Sequence, residues 1–199
     1  MKIQIRANAY QQEIIQQKNV NSTATIVWFT NEMIDADTYI DLLFTVDDNI
    51  FSSITHKPVI VNEVINTSNN LPNNYSRINV WNTFLEKDKL ELVTNNETEI
   101  ANILQALGYQ YILVPDITGM IAPRNIAMLI NEAYFALEDN ISTKEQIDTA
   151  MKLGTNYPFG PFEWAEKIGI KNISNLLTEL SKTDERYIPS KLLISNIPC

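Results

Sequence analysis

Asp148-Thr-Ala-Met-Lys-Leu-Gly-Thr-Asn-Tyr-Pro-Phe-Gly-Pro-Phe-Glu163 is the stretch from which the second half of the chain can be read. It begins inside a helical pattern. Upstream, Ser142-Thr-Lys-Glu145 has the form of a capping box, in which the serine hydroxyl accepts one free backbone N–H and the glutamate reaches back for another. Ile147, Ala150 and Met151 follow at helical spacing, and Gly154 suits the end of that helix. Pro158-Phe-Gly-Pro-Phe-Glu163 then reads as a rigid turn with aromatic flanks, a packed corner between helices.

On both sides of this stretch the helical pattern continues. Ile126, Leu129, Ile130, Ala133 and Leu137 form one stripe, and Asn172 is placed to cap a helix carrying Ile173, Leu176, Leu177 and Leu180. Before Asp116 the pattern differs. Lys2–Ala7, Ala24–Thr30, Asp41–Val46, Lys57–Ile65, Ile78–Thr83, Lys89–Val93 and Tyr109–Pro115 read as strands, with Ala24–Thr30 buried. Tyr10–Lys18, residues 32–40 and Glu97–Leu107 read as helices, the last closed by Gly108. Strands alternating with helices predict a mostly parallel sheet, with connections short for full crossovers. The expected architecture is therefore an α/β domain over residues 1–117, Rossmann-like but shortened and degenerate, followed by an all-α domain over 118–199.

Composition narrows the function. A formal net charge of -9 without a Lys/Arg cluster argues against nucleic acid as a partner. No apolar run approaches the roughly 20 residues of a membrane helix, and the start MKIQIRANAY lacks the apolar core of a secretion signal. One cysteine, Cys199, permits no internal disulfide, so a reducing cytoplasm is expected. One histidine and one cysteine do not make a metal centre or a Ser-His-acid set, and no metal is expected.

The residues from Asp116 to Leu193 resemble the C-terminal domain of the 3-hydroxyacyl-CoA dehydrogenase family. The family's D-x-A-M-x-L-G-x-x-Y-P-x-G-P-F-E stands here at Asp148–Glu163, its N-E-A at Asn131-Glu-Ala133, and its D-x-P-G-F-I-V-N-R at Asp116-Ile-Thr-Gly-Met-Ile-Ala-Pro-Arg124. Upstream, Asn66-Thr-Ser68 resembles the family's N-T-S, Arg77-Ile-Asn-Val-Trp-Asn82 its R-x-x-G-x-H, and Lys89-Leu-Glu-Leu-Val93 the strand that follows. The resemblance implies NAD-dependent oxidation of 3-hydroxyacyl-CoA, an acyl-CoA thioester as ligand, and a homodimer formed through the helical domain.

It also assigns residues. Ser68 matches the serine that hydrogen-bonds the substrate hydroxyl, Asn66 the asparagine beside the nicotinamide, Glu91 the glutamate that orients the catalytic histidine, and Arg124 a retained arginine on the substrate side. Each has a plainer reading: a turn for Asn66 and Ser68, a strand ion pair for Glu91, and an ion pair with an acidic neighbour for Arg124. Two departures stand out. Asn82 occupies the histidine position, and an amide does not shuttle a proton near neutral pH. The chain's five glycines begin at Gly108, so the first strand–helix turn, Ala7-Asn-Ala-Tyr10, lacks the glycines that let a backbone approach a pyrophosphate. His56, before the Lys57–Ile65 strand, is expected at the end of the sheet away from a ligand. The favoured reading is an acyl-CoA-binding relative without hydride chemistry. An altered oxidoreductase and a dimeric assembly subunit are the alternatives.

Overall fold

The computed structural model describes residues 1–198 and forms two compact units, Met1–Ile117 and Thr118–Cys199. Cys199, on which the cysteine argument rests, lies outside the described residues.

The first unit is built on seven strands: β1 (Lys2–Arg6), β2 (Thr25–Trp28), β3 (Thr38–Asp41), β4 (Val59–Asn62), β5 (Tyr75–Ile78), β6 (Lys89–Val93) and β7 (Gln110–Leu113). They lie in the order β2-β1-β3-β4-β5-β6-β7. The first five run parallel, β6 is antiparallel to β5, and β7 is parallel to β6. Strands inside a parallel sheet are buried on both faces and therefore read as continuous apolar runs; Val59, Ile60 and Val61 are each fully buried. Side chains alternate across the sheet. Ile3, Ile5, Ile40, Ile60 and Ile78 share one face with Ile14 and Ile15 of α1 (Ala9–Gln17) and Ile100 and Leu104 of α2 (Glu97–Ala106). Tyr39, Val59, Val61 and Tyr75 form the other, covered by irregular chain through Phe44 and Phe51. Phe51 packs 5.0 Å from Tyr39 and 5.9 Å, edge on, from Phe29.

Several element expectations shift. Residues 32–40 are not helical. The buried Gln4 side chain donates to Glu32 O at 2.8 Å and accepts from Ile34 N at 3.1 Å, holding the start of that segment open, and β3 takes up its end. The strand expected at Asp41–Val46 is thus Thr38–Asp41, and the one expected at Ile78–Thr83 is Tyr75–Ile78. β2 is an edge strand and only partly buried.

The second unit is all helix: α3 (Ala122–Glu138), α4 (Lys144–Thr155), α5 (Pro161–Ile168), α6 (Ile170–Ser181) and α7 (Lys191–Ser195). α5 begins within the corner expected at Pro158–Glu163 and adds a helix the sequence pattern does not announce. The capping box of α4 uses Thr143 and Gln146, one residue later than expected, and that helix ends on left-handed Asn156, two residues past Gly154. α6 starts after Gly169 rather than at Asn172, whose amide instead donates to Ile168 O at 2.8 Å. Asn131 explains its place in the family pattern structurally. It accepts from Ser190 N at 2.8 Å and donates to Ile188 O at 2.9 Å, tying α3 to the segment that enters α7.

The Asp148–Glu163 stretch is one corner. The buried Asp148 carboxylate accepts from Phe162 N at 2.8 Å and Glu163 N at 3.2 Å, supplying negative charge where α5 leaves its first N–H groups unpaired. Pro161 needs no such partner. Glu163 accepts from Gly160 N at 2.9 Å and pairs with Lys152 at 2.5 Å.

Candidate active site

In an open α/β sheet, ligands bind beyond the carboxyl ends of the strands, at the point where strand order reverses. Here that point lies at β1, flanked by β2 and β3. The chain leaves β1 at Arg6, β3 at Asp41, β4 at Asn62 and β5 at Ile78. Asn66, Ser68 and Asn82 all follow such ends. His56 precedes β4 and lies at the opposite, amino edge, where it lines a cleft with Asn74 and Asn96.

The loop after β4 is held by charge. Buried Glu63 accepts from Ile65 N at 2.7 Å, Asn66 N at 2.9 Å and the Asn66 amide at 3.1 Å. The Asn66 side chain is thereby committed to its own loop. The short 3-10 turn Ser68–Asn70 comes next, and Ser68 N donates to both Asp116 oxygens at 3.1 Å. Arg77, fully buried in β5, donates from Nε to Glu63 O at 3.1 Å and from Nη2 to Val64 O at 3.2 Å and Ile117 O at 3.4 Å, and its Nη1 pairs with Asp116. Burial pulls the guanidinium below its ordinary pKa, and Asp116 opposes that.

Glu91 sits half-buried in β6, opposite the end of β5. Buried Asn79 donates to its carboxylate at 3.4 Å, and Asn79 N donates to its carbonyl at 3.3 Å. Asn82 lies exposed in the following turn, beside Thr83 at φ 81. Arg124 belongs to the helical unit. Its guanidinium lies over the Tyr187 ring at 5.4 Å, and its buried Nε takes no hydrogen-bond partner among the described residues. Sequence reasoning gives Glu63 and Asn79 no role, and gives Asp116 only its place at the head of the resembling segment. For Glu63 and Asn79 the available signal is a charged or amide residue set within an apolar run expected to be a strand.

The turn where a dinucleotide's pyrophosphate would rest can be tested for fit. Asn8 Oδ1 accepts from Gln11 N at 2.9 Å while Gln11 Oε1 accepts from Asn8 N at 3.0 Å, so α1 is closed by its own reciprocal capping box. A phosphate-binding helix instead leaves such N–H groups to the ligand. Next to it, Arg6 pairs with Asp41 at 3.3 Å and with Asp48. Burial pushes the Asp41 carboxyl up to about 6 against the pull of Arg6 and Leu43 N–H, so added negative charge there is unfavourable. These residues do not fit a pyrophosphate. Among the described residues, no group of three or more His, Cys, Asp or Glu side chains is placed to hold a metal ion, and no helix is long and apolar enough to cross a membrane.

Residues 119–196 match the model of the 3-hydroxyacyl-CoA dehydrogenase C-terminal domain. The chain is 42% identical over 92 residues to 3-hydroxyadipyl-CoA dehydrogenase of Escherichia coli, covering 45% of this chain and 19% of that protein. It is 29% identical over 134 residues to 3-hydroxybutyryl-CoA dehydrogenase of Bradyrhizobium diazoefficiens, covering 63% of this chain and 46% of that one. The chain thus spans less than half the length of these curated relatives. Among solved structures, (S)-3-hydroxybutyryl-CoA dehydrogenase of Ralstonia eutropha aligns with a TM-score of 0.73 at 16% identity, over 98% of this chain and 92% of that chain, a likeness of fold.

Proposed function

We propose, for a chain that belongs to the 3-hydroxyacyl-CoA dehydrogenase family, that it binds an acyl-CoA thioester and does not carry out the NAD-linked oxidation. The observation that carries this reading is the closed capping box of Asn8 and Gln11, which occupies N–H groups a pyrophosphate would need. Asn82 adds to it: an amide in the histidine position binds a hydroxyl or carbonyl but does not accept its proton near neutral pH. Ser68 and, in the helical unit, Arg124 are the proposed thioester contacts. Glu91 is left orienting Asn79 rather than an imidazole, and Asn66 is assigned to shaping the loop. A reducing cytoplasm is the proposed compartment. Nucleic acid is an unsuitable partner for a chain of net charge -9.

With acetoacetyl-CoA, NADH oxidation is expected to stay at background, and Asn82→His alone is expected to leave it there. Acetoacetyl-CoA should raise the melting temperature, since ligand at a hundred times its Kd stabilises by about 2.7 kcal/mol, while NADH should not. Turnover that persists through repurification and tracks the protein would overturn the reading.

A homodimer through the helical unit is a second reading, favoured by α4. In that twelve-residue helix Asp148 alone is buried, and Leu153 is 82% exposed. If the helical unit pairs with a second copy as the resemblance implies, Leu153 is a side chain that a self-complementary interface would cover. Light scattering at micromolar concentration should give twice the chain mass, and Leu153→Glu should halve it. A monomeric parent chain would remove this reading.

A further inference from the structure

We infer that Arg77 and Asp116 are positioning residues for the thioester loop: their ion pair fixes the main chain at Ser68 and thereby sets the affinity for the thioester. This rests on the acyl-CoA-binding reading above.

The loop from Glu63 to Asn70 makes no strand pairing, yet its main chain is held at several points. Arg77 takes the carbonyls of Glu63 and Val64, at 3.1 and 3.2 Å, from inside β5. Asp116 reaches in from the segment after β7 and receives Ser68 N on both oxygens at 3.1 Å. The two holders are themselves an ion pair, and Arg77 also ties down Ile117 O at 3.4 Å. A buried guanidinium is costly to keep, and a loop needs no such device merely to turn. The device does fix Ser68, whose hydroxyl the acyl-CoA-binding reading offers to the ligand. The Ser68 hydroxyl takes part in none of the bonds that hold the loop, and Ser68 is only partly buried. Preorganising a donor in this way spares the ligand the ordering of the loop on binding.

The test is a double-variant cycle on the whole chain, with acetoacetyl-CoA affinity read by calorimetry. Asp116→Asn should weaken binding about tenfold, and Ser68→Ala by a similar factor. If Asp116 acts through Ser68, the double variant should bind no more weakly than Ser68→Ala alone. Amide exchange should quicken at Ser68 in Asp116→Asn while the β4 amides keep their protection. Should Asp116→Asn not fold, Asp116→Glu, which keeps the charge but changes its reach, carries the same cycle. Unchanged affinity in the Asp116 variant, additive losses in the double variant, or unchanged exchange at Ser68 overturns the inference and leaves the acyl-CoA reading standing. A parent chain that does not bind acetoacetyl-CoA fails that reading, and the inference with it.

Discussion

Alanine at Gly160 is expected to lower the unfolding free energy by about 3 kcal/mol, whereas alanine at Gly154 should raise it by up to about 1 kcal/mol. The contrast isolates a steric cause. Gly160 has φ -76 and ψ 168, which any residue adopts, so alanine meets no backbone penalty there. Its Cβ, however, would stand 2.3 Å from Asp148 Cγ and Oδ1 and 2.4 Å from Asp148 Cβ. The carboxylate could yield only by giving up Phe162 N and Glu163 N, leaving the start of α5 uncapped and a buried charge unpaired. α5 buries Phe162, Trp164, Ala165 and Ile168, so a shift at its first turn loosens the packing behind it. Gly154 meets nothing within 4 Å and lies in the last turn of α4, where alanine gains helix propensity. Urea unfolding of the two variants beside the parent checks both signs. A Gly160→Ala variant within 0.5 kcal/mol of the parent would mean that Asp148 swings aside freely.

That corner also shows what the sequence makes legible. Many of its residue types are demanded by one geometry: a carboxylate at 148, no Cβ at 160, no N–H at 161, a carboxylate at 163. Such a set is readable as a pattern before its purpose is known. Strands buried on both faces, such as Val59–Asn62, are legible for a similar reason, since burial on both sides removes the polar alternation. The pattern misleads where side chains meet residues distant in sequence. The segment 32–40 carries a helix-compatible pattern, and it is Gln4, far upstream, that holds it extended. The strand at Tyr75–Ile78 carries a buried arginine, which interrupts the apolar run by which a buried strand is recognised. Its partner Asp116 is 39 residues away. The one-residue slip at α4 has a local cause, because Ser142 and Thr143 both satisfy the capping spacing and only the fold chooses. In the site, Asn66, Ser68, Asn82 and Glu91 could be located by resemblance. Glu63 and Asn79 could not, because Glu63 holds its own loop through Ile65 N and Asn66 N, and Asn79 meets Glu91 from the neighbouring strand, and no residue pattern announces either bond.

Removing the Arg77 guanidinium tests how far such hidden pairing holds the first unit together. Arg77→Met is expected to cost about 4 kcal/mol. Methionine fills much of the volume, so the loss is polar: the carbonyls of Glu63, Val64 and Ile117 lose their donor, and Asp116 loses its counter-charge. Asp116 is 34% exposed, so water recovers part of its solvation, and most of the cost falls on the carbonyls. Arg77→Lys should cost less, about 2 kcal/mol. An ammonium can meet Asp116, but it does not reproduce a planar fork that serves both β4-loop carbonyls at once. The decisive variant is Arg77→Met with Asp116→Leu. If the ion pair is a true partnership, deleting both members should cost less than deleting Arg77 alone, because no charge is left without its partner. If the two losses add instead, Arg77 stabilises the unit through the carbonyls and Asp116 acts separately through Ser68 N. Urea midpoints for the four chains, at constant slope, separate these outcomes.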